Sequence, residues 1–254
     1  MTGEVALEAV DLRRWYGGVR AVDGCSFQVP RGQITGLIGP NGAGKSTAVS
    51  LLAGSIRPDG GQISLLGRDI TRLPNWQRAR LGLIRTFQVS RELPHMTVLD
   101  NLMMAVTPQP GESLWSALLR RPQWRRAERE MLVRAWSLLE EFGLAPMVDE
   151  YAENLSGGQK RLLEMARAVM PDPKVLLLDE PVAGVNPRLI NEIAGHIERL
   201  RDEGMTILMV EHELSVVERL CDSVIVMAQG RVLDVGPMHH LRQNQAVVEA
   251  YLAG

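Results

Sequence analysis

The residues Gly39-Pro40-Asn41-Gly42-Ala43-Gly44-Lys45-Ser46 place a lysine and a hydroxyl at the end of a glycine-rich run. Their spacing is G-x-x-x-x-G-K-[ST]. A polyphosphate has to be met by several N–H donors converging on one point. Glycines let the backbone fold tightly enough to present them. A helix that follows adds an N-terminus carrying about half a positive charge. Lys45 supplies a full charge for β- and γ-phosphates, and the Ser46 hydroxyl offers a place to Mg²⁺. Thr47 completes the run, its side chain reading as helix packing rather than a second metal ligand. Four fixed positions recur by chance in roughly one chain in a hundred, so context decides. An apolar run, Ile34 to Ile38, precedes the loop, and a helical stretch, Lys45 to Gly54, follows it. A glycine-rich turn with an incidental lysine does not account for that setting.

A second site is acidic. Val175-Leu176-Leu177-Leu178-Asp179-Glu180 is an apolar strand ending in two carboxylates. In open α/β sheets ligands sit at the carboxyl ends of strands. Asp179 therefore suits Mg²⁺, directly or through water. Glu180, one residue on, points elsewhere and can polarise an attacking water, a contribution of about 10²–10⁴ in rate. The plainer reading is a solvated strand end. A third motif, Leu155-Ser156-Gly157-Gly158-Gln159, opens a helical stretch running to Met170. Ser156 fits an N-cap, and Gly157 and Gly158 leave N–H groups bare. That makes a second anion site, and one chain has little use for two on a single triphosphate.

These residues need elements to hold them. Lys174 to Leu178 and Thr206 to Val210 are nearly unbroken apolar runs, as expected of strands buried on both faces. Pro187 to Asp202 carries apolar residues at helical spacing. Ser223 to Met227 and Arg231 to Val235 flank Gln229-Gly230 as a hairpin. The alternation predicts an α/β fold with a P-loop core, a mostly parallel sheet, an antiparallel β portion and an inserted helical subdomain. The core takes residues 1–89 and 166–254, and the helical subdomain 90–165, where no convincing strand is found. With 254 residues the chain can bury a substantial core. Cys25 and Cys221 make no disulfide framework or zinc cluster and read as core residues in a reducing compartment. A net charge of −2 argues against a general nucleic-acid binder. Neither a signal peptide nor a run of 18 apolar residues is present. Work at a membrane would go through a partner.

The three motifs, in this order, make the chain resemble the ATP-binding cassette family over essentially its whole length. That family's signature is LSGGQ. The resemblance implies that two cassettes pair head to tail, so that Ser156, Gly157, Gly158 and Gln159 of one close over the ATP held by the P-loop of the other. It implies a γ-phosphate and Mg²⁺ sensor in Gln88 of Arg85-Thr86-Phe87-Gln88, which also borders a membrane partner. It implies a switch histidine in His212 of Val210-Glu211-His212. Tyr16 matches the aromatic that stacks on adenine, with Trp15 beside it as a rival. One departure is Ala183-Gly184-Val185-Asn186, where the family usually has S-A-L-D. Asn186 lacks the aspartate charge but can still hydrogen-bond across a dimer interface.

Three stretches narrow the resemblance to ATP-binding subunits of bacterial branched-chain amino acid importers. They are Gly82 to Gln88, Met96 to Asn101 and the tail Val247 to Leu252. This implies an ATPase on the cytoplasmic face of the inner membrane, with ATP and Mg²⁺. Its partners would be a second identical or different cassette, integral membrane permeases and, indirectly, a substrate-binding protein. Related urea or amide importers, lipopolysaccharide-type exporters and soluble cassette ATPases are the alternatives. The apolar residues after Gln88, through Asn101, suit a permease helix laid in a groove. Arg120, Arg121, Arg125, Arg126 and Arg129, with Trp115 and Trp124, read as a solvated helix face rather than an anion-binding one. No N-K-x-D base reader of a GTPase is present.

Overall fold

The computed structural model describes residues 4–86, 92–106 and 121–252, with residues 121–125 and 251–252 described by backbone alone. The chain divides into two units, Met1–Gln88 with Lys174–Gly254, and Val89–Pro173.

The first unit contains two sheets. The larger is formed by β3 (Ile34–Ile38), β6 (Leu83–Arg85), β7 (Val175–Asp179), β8 (Thr206–Val210), β9 (Ser223–Ala228) and β10 (Arg231–Gly236), in the order β10-β9-β3-β8-β7-β6. Its pairings are parallel except for β10 against β9. The reason its strands read as continuous apolar runs lies in how they are covered. On β9, Ile225 and Met227 join one core cluster while Val224 and Val226 join another. Successive residues point to opposite faces, so both faces are covered there, and the inner strands β3, β7 and β8 are buried at every position and nearly all apolar. Each fully buried aliphatic side chain contributes roughly 1.5–3 kcal/mol.

The smaller sheet is antiparallel, with order β2-β1-β4-β5, built from β1 (Val5–Tyr16), β2 (Val19–Pro30), β4 (Gly60–Leu65) and β5 (Arg68–Asp69). Its buried residues share a cluster with α1 (Lys45–Leu52) and with the facing side of the parallel sheet. The β9–β10 hairpin turns at Gln229 and Gly230, both with positive φ, 49° and 76°, as a two-residue I′ turn requires. That turn ties the two sheets together. The Gly230 N–H donates to the Ala43 carbonyl (3.0 Å), and the Gly230 carbonyl accepts from the Asp23 N–H (2.8 Å) and the Cys25 thiol (3.0 Å). Burial pushes the Cys25 thiol up to about 11 and the Cys221 thiol up to about 12, so neither is poised to react at neutral pH.

The unit also holds α2 (Asn75–Arg80), α6 (Pro187–Asp202), α7 (Leu214–Leu220), α8 (Met238–Leu241) and α9 (Gln245–Leu252). The described elements of the second unit are helical: α3 (Val98–Met103), α4 (Arg121–Glu141) and α5 (Gly157–Val169), with two short 3₁₀ turns between α4 and α5. Asn101 holds the α3 region, its side chain bonding both the N–H and the carbonyl of Leu93 (2.9 and 3.1 Å) and the Thr97 carbonyl (3.0 Å). Arg134 of α4 closes the end of α5 by donating to the Val169 and Met170 carbonyls. Of the arginine-rich stretch, Arg126 makes a solvent-exposed pair with Glu130, as a solvated face should. Arg120 and Trp115, and the side chains of Arg121, Trp124 and Arg125, lie outside what is described.

Arg78 shows what fixes α1 from below. It is 1 % exposed, and its guanidinium donates to the carbonyls of Leu51, Leu52, Leu73 and Thr71 at 2.6–3.0 Å. Burial lowers its pKa to about 10. The last carbonyls of a helix need partners, and Arg78 provides them where a solvent-exposed helix would use water. Replacing Arg78 by Met should therefore cost about 3 kcal/mol or more, because several buried acceptors lose their donor at once. A urea unfolding midpoint close to wild type would contradict this.

Candidate active site

A cavity of about 590 Å³ opens on the phosphate loop. Residues 41–47 line it, together with Glu180, His212, Arg20 and Gln229. Close approach to neighbouring strands shapes the loop, along with a turn bond from the Ala43 N–H to the Pro40 carbonyl (3.2 Å). A Cβ on Gly39 would lie 2.0 Å from the Met227 carbonyl oxygen, and one on Gly44 2.3 Å from that of Ala21. Gly39 and Gly44 also have φ of 151° and 98°, where only glycine is at ease. The loop delivers the chain into α1 with Gly44 as N-cap, no side-chain cap and no acidic residue in the first turn. The first N–H groups of α1 thus face the cavity without competition.

Lys45 is 6 % exposed. Its ammonium donates to the Gly39 carbonyl (2.6 Å) and the Pro40 carbonyl (3.0 Å), which holds it over the loop. Burial lowers its pKa, and the nearby Glu180 carboxylate pulls the other way.

Across the cavity stands the end of β7. Asp179 is 3 % exposed, and its Oδ2 accepts from Arg85 Nη2 at 2.6 Å. Arg85 Nη1 donates to Ser50 Oγ (3.0 Å), and Ser50 Oγ donates to the Ser46 carbonyl (2.7 Å). Arg85 thereby links Asp179 to the helix that carries Ser46. Glu180 adopts φ of 52°, uncommon for a residue with a side chain and worth about 1–3 kcal/mol of strain. The turn is held by the Glu180 N–H on the Val210 carbonyl (3.0 Å) and the Ala183 N–H on the Glu180 carbonyl (3.2 Å). It aims the carboxylate at His212, whose Nε2 lies 2.9 Å from Glu180 Oε1.

The structure thus brings Asn41, Gly42, Ala43, Gly44, Lys45, Ser46 and Thr47 together with Glu180 and His212. Gly39 and Pro40 lie under Lys45 as its acceptors. Tyr16 is not among the residues lining the cavity; its ring is half exposed, with the Arg14 guanidinium 4.8 Å from its centroid. Trp15 is likewise outside the lining, with Arg20 over its ring. Gln88 lies outside the described residues. Ser156 caps α5 in a reciprocal box: its Oγ accepts from the Gln159 N–H, and the Gln159 side chain accepts from the Ser156 N–H. A Cβ on Gly157 would meet nothing within 4 Å. Asn186 is an N-cap, its side-chain oxygen accepting from the Leu189 N–H (3.0 Å). Sequence reading assigned no site role to Arg20, Gln229 or Arg85. Arg85 stood in a quoted motif, but no spacing rule links it to Asp179, ninety-four residues away.

The family model described as ABC transporter matches residues 22–183. The chain belongs to the ABC transporter family. It is 40% identical over 246 residues, 97% of this chain and 95% of the relative, to a probable branched-chain amino acid transport ATP-binding protein LivG of Archaeoglobus fulgidus. It is 41% identical to the high-affinity branched-chain amino acid transport ATP-binding protein LivG of Escherichia coli, over 93% of each chain. A solved ATP-binding cassette of an ABC transporter in its ADP conformation superposes with a TM-score of 0.85 at 36% identity, covering 98% of this chain and 99% of that one. As an ABC ATPase the chain binds ATP and hydrolyses it. The cavity over residues 41–47 has the donors that such a ligand needs.

The Arg85–Asp179 pair yields a direct test. Removing one partner of a buried pair leaves the other charge uncompensated, at about 3–5 kcal/mol. Arg85→Ala should lower thermal stability accordingly, and Arg85→Ala with Asp179→Asn should recover part of the loss. A double variant no more stable than Arg85→Ala alone would show that the pair is incidental.

Proposed function

We propose that this chain is the ATP-hydrolysing subunit of a transporter that imports branched-chain or other hydrophobic amino acids, with Mg²⁺ as its metal. One observation carries the catalytic part of this reading: the 2.9 Å contact between Glu180 and His212, both lining the cavity into which Lys45 and the loop face. A general base has to sit within hydrogen-bond reach of the proton it takes. The cargo rests on resemblance to branched-chain amino acid relatives over nearly the full length.

The steps follow from the groups present. Loop N–H groups and Lys45 hold the β- and γ-phosphates. Ser46 and Asp179 would hold Mg²⁺. Both are oxygen donors, which suits a hard cation that keeps several waters and shares phosphate ligands. Asp179 retains Oδ1 beside the oxygen given to Arg85. Gln88, which lies outside the described residues, is the further donor assigned to the metal, and the nucleotide would complete the site. The metal, when bound, offsets phosphate charge. Glu180 accepts a proton from the attacking water, and His212 fixes its rotamer. Gln88 is assigned the γ-phosphate sensor, and Tyr16 the adenine platform.

The second half of the active site is proposed to come from a partner cassette. Ser156 Oγ gives one lone pair to the cap, and its hydroxyl proton remains a donor for phosphate. Gly157 meets nothing of its own surroundings, so its missing side chain serves an approach from outside. Closure of two cassettes on ATP and their parting after hydrolysis would drive permease subunits between access states. ATP can do this because it binds the closed state better. No helix among the described residues is long and apolar enough to cross a membrane. We place the chain at the cytoplasmic face, held there by its permeases.

Glu180→Gln should keep ATP binding, lower hydrolysis by about 10²–10⁴-fold, accumulate an ATP-bound dimer on size exclusion, and abolish leucine uptake when expressed with its permeases. Turnover at the wild-type rate would refute the assignment. Gly157→Ala is a sharper probe of the partner site, since the added methyl has room and alanine favours a helix. It should leave folding and monomer ATP affinity intact while hydrolysis falls. Loss of ATP binding to the monomer would place the signature in the same chain's site instead.

A further inference from the structure

Glu211 sits where the turn after Glu180 meets the loop that carries His212. It is 3 % exposed at the end of β8, where an ionised carboxylate is costly unless several donors meet it. Its Oε1 accepts from the Val182 N–H (3.1 Å), two residues past Glu180. Its Oε2 accepts from the His212 N–H (3.1 Å). Burial pushes its pKa up, opposed by N–H bonds from Val182, His212 and Glu213, with the Glu180 charge adding to the rise. One rigid carboxylate thus spans two loops. One loop turns through the left-handed Glu180, and the other carries His212.

We propose that Glu211 is a positioning residue that locks the Glu180–Val182 turn to the His212 loop, so that the two cavity groups move as one body. The proposal rests on the roles given above to Glu180 and His212 and adds the element that couples them. Val210, the residue before Glu211, already accepts the Glu180 N–H. The turn after β7 is therefore stitched to the end of β8 twice, once by backbone and once by the Glu211 side chain. Without the second stitch, Glu180 and His212 can each keep a sound rotamer and still lose their 2.9 Å register.

The test is Glu211→Gln in the full chain. Glutamine keeps the size but offers one acceptor oxygen and an NH₂ group that cannot accept, so either the Val182 N–H or the His212 N–H, which bond different oxygens, loses its partner. Misplacement of a catalytic group by about 1 Å can cost about 100-fold, so kcat for ATP should fall about 10–100-fold while KM stays within about twofold. Amide exchange at Val182 or His212, measured on the nucleotide-free chain, should quicken while the sheet amides stay protected. Unchanged kcat, or unchanged exchange at both amides, would overturn the proposal. The exchange readout needs no hydrolysis. If Glu180→Gln turned over normally, the catalytic reading would fall while the exchange result still decided whether the lock exists. Should Glu211→Gln not fold, Glu211→Asp keeps the charge but reaches less far. It should quicken exchange at one amide and lower kcat partially, whereas two protected amides with full kcat would again overturn the lock.

Discussion

A lysine ammonium with almost no access to solvent is the constraint on which the site depends. Lys45 survives there because two carbonyls of its own loop accept from it, and a carbonyl can turn inward only if the backbone bends where side chains do not fit. Hence Gly39 and Gly44, each wedged against another strand's carbonyl. Those carbonyls belong to Met227 and Ala21, one from each sheet. The loop is therefore moulded by the junction of the two sheets, and the Gly230 turn, bonded to Ala43 and to β2, fixes that junction. A change in sheet packing would reach the phosphate site through these contacts without altering any residue that touches phosphate.

The same economy governs three other buried or partly buried polar groups in this unit. Arg78, Arg85 and Glu211 each join segments distant in sequence. Arg78 joins the end of α1 to the segment before α2, Arg85 joins β7 to α1, and Glu211 joins the ends of β7 and β8. Buried polar groups are expensive unless every donor and acceptor is met, so each restricts the geometry around it far more than an apolar contact would. A non-directional apolar core leaves loops free to shift by an ångström. These three groups do not: Arg85 and Glu211 sit at the ends of the strands where the chemistry takes place, and Arg78 fixes the far end of α1.

What could be read from the sequence follows from what is local. The phosphate loop, β3, β7, β8 and the β9–β10 hairpin are each announced by a short run whose pattern is complete in itself. The same is true of α6, through its helical spacing, and of the Ser156–Gln159 cap. The antiparallel sheet was less legible, and only its presence was expected. In β1 and β2 the alternation of buried and exposed residues is interrupted by register shifts, and Asp11 takes φ of 49°, so a period of two never persists for long. Long-range pairs were invisible for a different reason. Arg85 and Asp179, or Glu211 and Val182, carry no mutual spacing, and only the strand order brings them together. Tyr16 shows the converse: a motif match named it, but the cavity lining within this unit reaches Arg20 and Val19 rather than its ring.

Asn186 illustrates how a local duty can stand behind an apparent departure from a family pattern. The position usually carries aspartate, and asparagine looks like a weakened contact when viewed only as half of an interface. Its side-chain oxygen is committed to the Leu189 N–H at the start of α6, next to Pro187 in the first turn. Asparagine and aspartate are equally good N-caps, so the helix start is preserved. What the substitution changes is the other end of the side chain: an NH₂ donor where a carboxylate would offer a second acceptor. Through that NH₂, Asn186 can bond an acceptor on a facing partner, which aspartate cannot do. The exchange therefore leaves the start of α6 as it was and changes only the hydrogen-bonding group that the side chain has left over.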